Sequence, residues 1–295
     1  MKGKCKLCQK EADLEISHFI PKFVGKWVKK TSITGYLREH NEVAKRQQDI
    51  AKEYWLCGEC EDKFSIWETK FANKVFFPFV DKNEPVANYD SWMSKFCASL
   101  SWRTLTFIRS KNIENGSYNK DPSYVQAVDN AKTHLAKYLL NEVDNLNQYE
   151  QHLYPLEKIE STTEHGLPPN INRYFLRTMA MDIIGNDKDI FIVTKIPSFV
   201  LLGCVKFKEL SKIRSSRIAL KKGQISPREY YWPDGFANYM IEQATEVSKI
   251  YESIPEKHHE RIEEFLIKNP EKAVNSKLFE AFLHDYERFG DKALR

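Results

Sequence analysis

Hydrophobic residues recur with a helical period in five stretches of this chain. They fall on one face, at spacings of three and four residues, within 64–75, 92–108, 124–139, 236–251 and 278–286. This spacing is typical of amphipathic helices. In the last stretch, the predicted buried face consists of Leu278, Phe279, Phe282, Leu283 and Tyr286. The pattern predicts that most of the chain after residue 89 is helical.

Two shorter apolar stretches have the composition of β-strands. Residues 190–194 and 199–205 are rich in β-branched and aromatic side chains, and Pro197 and Ser198 separate them. Such residues favour strands, and a proline between two apolar runs indicates a turn. We therefore expect a buried strand pair near 190–206.

A change of composition after the first helical stretch suggests a division of the chain. Residues 78–88 contain two prolines among polar residues, which predicts a linker. The predicted fold class is α+β. It consists of a small N-terminal module, residues 1–80, and a mainly α-helical domain with a small β element, residues 89–295.

Length and composition allow a sizeable core and give no sign of a membrane span. The chain has 295 residues, of which 42% are hydrophobic, with a formal net charge of +4 and six cysteines. No apolar stretch reaches the roughly 18 residues that a membrane helix requires. Because no signal sequence is apparent and cysteines are few, we expect reduced thiols and a cytoplasmic protein.

Four of the cysteines form two C-x-x-C knuckles, Cys5/Cys8 and Cys57/Cys60. Zn²⁺ binds four such thiolates tetrahedrally in structural sites. The first knuckle lies in a short polar segment, as expected for a tight turn between strands. The second directly precedes the helical stretch 64–75. This combination is typical of a treble clef, so we predict a ββα zinc finger in which all four cysteines hold structural zinc.

The N-terminal module resembles the zinc-containing HNH-like (His-Me finger) endonucleases. Ser17-His18-Phe19-Ile20-Pro21 follows the first knuckle, and Leu56-Cys57-Gly58-Glu59-Cys60-Glu61 contains the second. Members of that family carry Asp-His and then Pro after the first knuckle, and Leu-Cys-x-x-Cys-His at the second. The resemblance implies that His18 is the general base that activates a water. It also implies that Glu61 binds the catalytic Mg²⁺ or Mn²⁺.

The chain departs from the family pattern at three points, which leaves alternatives open. Ser17 replaces Asp, Glu61 replaces His, and the only nearby asparagine, Asn41, lies at a spacing that does not match. A carboxylate suits a hard divalent cation, so phosphodiester hydrolysis can still be written for His18 and Glu61. Glu68, two turns beyond Glu61, is expected to be solvated. One alternative is a non-catalytic zinc finger that binds nucleic acid or a protein partner. The other places the function wholly in the C-terminal domain.

Basic residues cluster immediately after the candidate base. Four lysines follow Pro21 and predict contacts with phosphates: Lys22, Lys26, Lys29 and Lys30. A second basic run, within 206–222, fits a phosphate-binding surface or a solvated face equally well. We expect a nucleic-acid partner, with DNA favoured over RNA, and leave a homo-oligomer or a protein partner open. The layout also resembles bacterial defence or mobile-element effectors.

Overall fold

The computed structural model places helices and strands throughout the part of the chain that it describes, and it confirms the predicted α+β class. The described residues are 1–37, 47–117, 119–160, 166–252 and 256–294. Asn41 lies outside them. No helix in this part of the chain combines the length and the apolarity that crossing a bilayer requires.

The N-terminal elements form a three-stranded sheet followed by a helix. They are β1 (Lys2–Lys4), β2 (Glu11–His18), α1 (Lys22–Lys30), β3 (Lys52–Cys57) and α2 (Gly58–Phe71). The strands are antiparallel in the order β1-β2-β3. We call β1, β2, β3 and α2 the finger. Phe64 and Phe71 of α2 are buried, which confirms the predicted apolar face of this helix.

The chain stays helical beyond Phe71. A π-helical segment, Ala72–Phe76, leads into α3 (Phe77–Lys82). Pro78 lies in the first turn of α3, directly after the π-helical segment, and it lacks the N–H that would donate to the preceding helical turn. Asn83 then ends the helix in the left-handed conformation, at φ 55°. The predicted linker 78–88 is therefore helical as far as Lys82.

The rest of the chain builds a helix–sheet core. Its elements are β4 (Ala87–Asp90), α4 (Trp92–Glu114), α5 (Pro122–Leu139), β5 (Gln151–Pro155), α6 (Ile171–Arg177), β6 (Ala180–Gly185), β7 (Ile190–Ile196), β8 (Phe199–Lys206), β9 (Lys222–Ile225), α7 (Phe236–Glu252), α8 (Glu256–Lys268), α9 (Pro270–Val274) and α10 (Lys277–Phe289). Two short 3₁₀ helices complete the list: Arg214–Ser216 lies between β8 and β9, and Gly290–Leu294 follows α10. Strands β4 and β9 pair with each other.

A four-stranded antiparallel sheet, in the order β5-β8-β7-β6, lies at the centre of this core. Strands β7 and β8 form the predicted strand pair, and Ser198 adopts φ 60° in the turn between them. Strands β5 and β6 were not predicted. Gln151 and His152 interrupt the apolar pattern of β5, and the edge strand β6 is only half-buried. The β element is therefore larger than the sequence suggested.

Helix α4 is the central helix of the molecule. Its residues 92–94 and 96–106 are all buried, because α4 packs against α2, α5 and the sheet. Phe71 of α2 stacks on Phe96 of α4 at 4.1 Å between ring centroids and meets Phe199 of β8 edge-on at 5.7 Å. One apolar cluster thus contains residues from before and after the predicted linker. The division into 1–80 and 89–295 stays a prediction.

The buried face of α10 differs from the predicted one. Leu283 and Tyr286 are 39% and 41% exposed, whereas Asp285 is fully buried. The Asp285 carboxylate accepts the backbone N–H groups of Asn172 and Arg173, at 2.7 and 3.1 Å, in the first turn of α6. It also pairs with Arg173 Nε at 2.8 Å. A polar contact with α6 therefore orients α10, and apolar spacing alone could not predict it.

Candidate metal centre and adjoining polar cluster

The four knuckle cysteines converge in the finger. Their Sγ atoms all lie within 4.8 Å of one another, and Cys8 Sγ is 3.7 Å from Cys57 Sγ. A tetrahedral ion with Zn–S bonds of about 2.3 Å separates its sulfur ligands by roughly 3.8 Å. The thiols are therefore already near the spacing that a structural zinc ion requires. The residues Cys5, Cys8, Cys57 and Cys60 can hold such a metal.

Local backbone geometry places each knuckle. Between β1 and β2, the backbone N–H of Cys5 donates to Lys10 O at 2.9 Å, and that of Gln9 donates to Cys5 O at 2.9 Å. Gln9 adopts φ 63° in this turn. Cys57 ends β3 and caps α2, and its backbone N–H donates to Cys5 Sγ at 3.4 Å. Strand pairing and the start of α2 thus bring the two knuckles together.

The electrostatics of the four-cysteine cluster are those expected of side chains that bind a cation together. Burial raises the pKa of Cys60, and the nearby Cys5 thiol adds to this effect. At Cys5, burial is outweighed by hydrogen bonds from the backbone of Cys57 and Cys8, which lower its pKa. Crowded buried thiols are difficult to ionise without a counter-charge, and a bound cation supplies one. The donor set therefore fits zinc.

His18, the predicted general base, lies at the end of β2 with its side chain 12% exposed. Its Nε2 atom is 3.3 Å from Asp49 Oδ2, and the same oxygen accepts Lys52 Nζ at 2.7 Å. Partial burial works against ionisation of Asp49. Hydrogen bonds from Lys52 and His18 nevertheless lower its pKa to about 2.

The Asp49 contact assigns roles to the two ring nitrogens of His18. An ionised carboxylate only accepts hydrogen bonds, so Nε2 must be the donor. In the neutral ring, Nδ1 is then the unprotonated nitrogen. Within the described ranges, Nδ1 has no hydrogen-bond partner. Sequence reasoning missed Asp49 because nothing in its spacing links it to His18.

Glu61, the predicted ligand of a catalytic metal, lies in the first turn of α2 and is half-buried. Burial raises its pKa, while the Ser17 hydroxyl and the Arg103 guanidinium work in the opposite direction. The Ser17 Oγ atom is buried, and its contact with Glu61 falls short of hydrogen-bond geometry. Glu61 therefore lies in a confined polar pocket beside a positive charge, next to the end of the strand that carries His18.

Glu68 is not solvated as expected. Its carboxylate is 19% exposed and pairs with Arg103 Nη1 at 2.7 Å. Arg103 comes from α4, and sequence reasoning did not single it out. Its charge within an otherwise apolar and small-residue stretch of α4 was the available signal. The structure thus adds Asp49, Glu68 and Arg103 to the surroundings of His18 and Glu61.

The predicted site residues fall into two groups by geometry: the four knuckle cysteines, and the pair His18 and Glu61. Within the described ranges, the four cysteines are the only cluster of three or more His, Cys, Asp or Glu side chains close enough to hold one ion. His18 and Glu61 therefore belong to no second three-ligand set in this part of the chain. Each of them instead has its own polar partners on neighbouring elements.

The predicted basic patch lies on α1, which begins four residues after His18. Lys22, Lys26 and Lys30 are exposed at intervals of four residues, on one face of the helix. None of the three has an ion-pair partner among the residues with described positions. Lys29 differs, because its Nζ donates to Gln48 O at 2.6 Å. The opposite face of α1 is buried through Val24, Trp27 and Val28.

The second basic run is partly neutralised by its neighbours. Lys212 pairs with Glu209 at 2.8 Å, and Arg217 pairs with Glu150 at 3.1 Å. These contacts favour a solvated, internally paired surface over a phosphate-binding one.

A cavity of about 790 Å³ is lined by none of the four knuckle cysteines and by neither His18 nor Glu61. Trp27, Arg177, Trp232 and His284 are among the residues that line it. The polar cluster around His18 therefore lies outside this cavity.

Comparison with known proteins places no constraint on these assignments. No protein-family model, no curated protein and no solved structure matches this chain.

Proposed function

We propose that this protein is a metal-dependent nucleic-acid endonuclease of the HNH-like class. The contact that carries the proposal is the one between His18 Nε2 and Asp49 Oδ2, in a finger that also contains the four-cysteine cluster. A histidine held by a carboxylate at a strand end is well suited to proton transfer. The second group that the reaction needs, Glu61, follows directly after Cys60.

In the proposed reaction, His18 accepts a proton from the attacking water. Asp49 keeps the proton of the neutral ring on Nε2, so Nδ1 is the basic nitrogen. Imidazole is the side chain best matched to proton transfer near neutral pH. The Lys52 ammonium group keeps Asp49 ionised, and this maintains the tautomer.

Glu61 is the residue of this cluster that would hold a divalent cation. Its carboxyl group fits a hard cation such as Mg²⁺ or Mn²⁺, and its burial favours any partner that compensates its charge. When bound, such a cation supplies stabilisation of the charge that develops on the phosphate. The four-cysteine cluster has a different role, because its thiolates would hold zinc to stabilise the finger.

Substrate binding is assigned to the outer face of α1. The exposed lysines Lys22, Lys26 and Lys30 can neutralise successive phosphates, which gives salt-dependent and sequence-independent affinity. We propose DNA as the first substrate to test, with RNA second. Thiols must stay reduced to hold zinc, which supports a cytoplasmic location. A role as a bacterial defence or mobile-element effector is part of the same proposal.

Cleavage assays test the proposal directly. Plasmid DNA and structured RNA are incubated with the protein in Mg²⁺ or Mn²⁺, and in parallel with EDTA. We expect metal-dependent cleavage that falls at least about 100-fold in His18→Ala, because general-base catalysis contributes that much or more. His134→Ala is the matched control, since His134 lies on α5 and contacts Asn145 O. Cleavage that survives in His18→Ala would contradict the proposal.

A non-catalytic zinc finger that binds nucleic acid is the second candidate. One observation favours it: His18 and Glu61 form no three-ligand cluster within the described ranges. The same experiment separates the two functions when binding is measured by fluorescence anisotropy. Binding of nucleic acid without cleavage in either metal, by the wild-type protein, would favour this second candidate.

A further inference from the structure

Arg103 connects the central helix to both halves of the polar cluster. Its side chain is 4% exposed, and its Nη1 atom donates to His18 O at 2.9 Å. The same nitrogen pairs with Glu68 Oε1 at 2.7 Å. Nε lies 3.4 Å from Ser99 O within α4. One guanidinium group therefore contacts the strand that carries His18 and the helix that carries Glu61.

The position of Glu68 extends this connection to Glu61. The two carboxylates are seven residues apart, so they lie two turns apart on the same face of α2. The Arg103 charge also acts on Glu61. On its other side, the guanidinium lies 5.1 Å from the ring centroid of Phe64, which is buried in α2. Any movement of α2 relative to β2 must therefore break a contact of Arg103.

Stability alone does not account for a buried charge at this position. Removing a guanidinium and a carboxylate from water is costly, and well-packed apolar residues of similar size are often at least as stabilising. Nη2 of Arg103 is moreover buried without a partner among the described residues. The gain lies in orientation, because a planar guanidinium fixes the direction of the groups that it binds.

We propose that Arg103 is a positioning residue that holds the end of β2 and the helix α2 in the arrangement that the reaction needs. This inference rests on the proposed nuclease function. Arg103 acts through the backbone carbonyl of His18 and through Glu68, and it does not touch the substrate. A displacement of about 1 Å between reacting groups can reduce turnover about 100-fold.

Three variants test this role. Arg103→Met removes the guanidinium, and Arg103→Met combined with Glu68→Met also removes the carboxylate left without a partner. Arg109→Met is the matched control, since Arg109 also lies on α4 but pairs with Asp129 of α5. For each protein, kcat, KM, zinc content and Tm are measured with the substrate that the wild-type protein cleaves.

We expect kcat of Arg103→Met to fall about 100-fold, while KM changes less than about threefold and zinc is retained. The double variant should recover much of the lost Tm, because the Glu68 carboxylate is no longer buried without its partner, but it should not recover kcat. Arg109→Met should lower Tm without reducing kcat. Recovery of kcat in the double variant would overturn the inference, since Arg103 would then serve only to neutralise Glu68.

Hydrogen exchange gives a readout that does not require cleavage. Peptides that cover residues 15–20 and 58–68 should exchange faster in Arg103→Met and in the double variant, but not in Arg109→Met. If the wild-type protein cleaves nothing, the nuclease proposal fails while the exchange data still decide whether Arg103 holds the two elements. Unchanged exchange in both Arg103 variants would refute the positioning role.

Discussion

Cysteine and histidine occur both in the finger and in the helix–sheet core, but in different environments. In the finger, Cys57 lies among three other thiols, and His18 binds an ionised carboxylate near the surface. In the core, Cys97 is fully buried in an apolar cluster. His152 is fully buried as well, and its Nδ1 contacts Ile213 O at 3.2 Å.

This difference shows that partners, and not residue type, decide which side chains can do chemistry. Burial without a counter-charge raises the pKa of the Cys97 thiol, so this cysteine is unreactive. Burial lowers the pKa of His152 to about 4, against a smaller opposing effect of its bond to Ile213. Both core residues are therefore neutral at pH 7. In the finger, by contrast, hydrogen-bond partners lower the pKa of the Cys5 thiol and of the Asp49 carboxyl group that contacts His18.

The largest difference between the two regions is expected when one cysteine is removed from each. Structural zinc supplies roughly 10 kcal/mol or more of folding free energy in isolated zinc fingers. We therefore expect Cys57→Ser to lose its metal and to unfold the finger. Metal content by elemental analysis and limited proteolysis of the N-terminal region measure both effects.

Cys97→Ala is the matched control for this comparison. It removes a buried thiol from α4 and should cost about 1 to 2 kcal/mol of unfolding free energy, with the metal retained. A Cys57→Ser protein that keeps its metal and its protease resistance would show that the cluster is not a metal centre.

A smaller effect is expected from the buried histidine of the core. The pKa of His152 is lower in the folded protein, about 4, than in the unfolded chain, about 6.5. The unfolded chain therefore binds a proton first as the pH falls. Stability from this group is complete above about pH 6.5 and decreases by roughly 3 kcal/mol as the pH falls to about 4. Urea unfolding at several pH values measures this loss.

His152→Asn isolates that contribution, because asparagine can still donate to Ile213 O but does not titrate. Its stability should vary less between pH 6.5 and pH 4 than that of the wild-type protein. Glu150 and Arg217, which lie beside His152, remain in both proteins. An unchanged slope in His152→Asn would mean that other groups cause the acid sensitivity.

The smallest effect is expected from Asp49, the carboxylate that contacts His18 of the finger. Its pKa is lowered to about 2, so its stabilising contribution is present above its unfolded pKa of about 3.9 and is lost as the pH falls toward 2. The side chain is 37% exposed, and solvent screens its ion pairs. Asp49→Asn should therefore cost less than about 1 kcal/mol at pH 7. A loss of unfolding free energy as large as the roughly 3 kcal/mol expected for His152 would contradict the contrast between the two regions.

Several features of the fold followed from patterns along the chain. Helices α2 and α5 bury most of the residues that their spacing predicts, since neighbours at three and four positions share a helix face. The strands β7 and β8 follow from two apolar runs around one break. Strand β5 was missed because its buried Gln151 and His152 form hydrogen bonds with groups far along the chain, Ser101 and Ser216 among them. Polar residues with such partners leave no local pattern.

The sequence by itself determined the positions of five of the ten α-helices in the described ranges, the central hairpin and the spacing of the four knuckle cysteines. These features depend on residues that are close in sequence, or on the ligand set that a structural zinc ion would require. Only the tertiary structure decided that Arg103 contacts the carbonyl of His18 and the carboxylate of Glu68, and that Asp49 faces the His18 ring. Such pairs arise from the packing of distant elements, whose relative positions no local periodicity encodes.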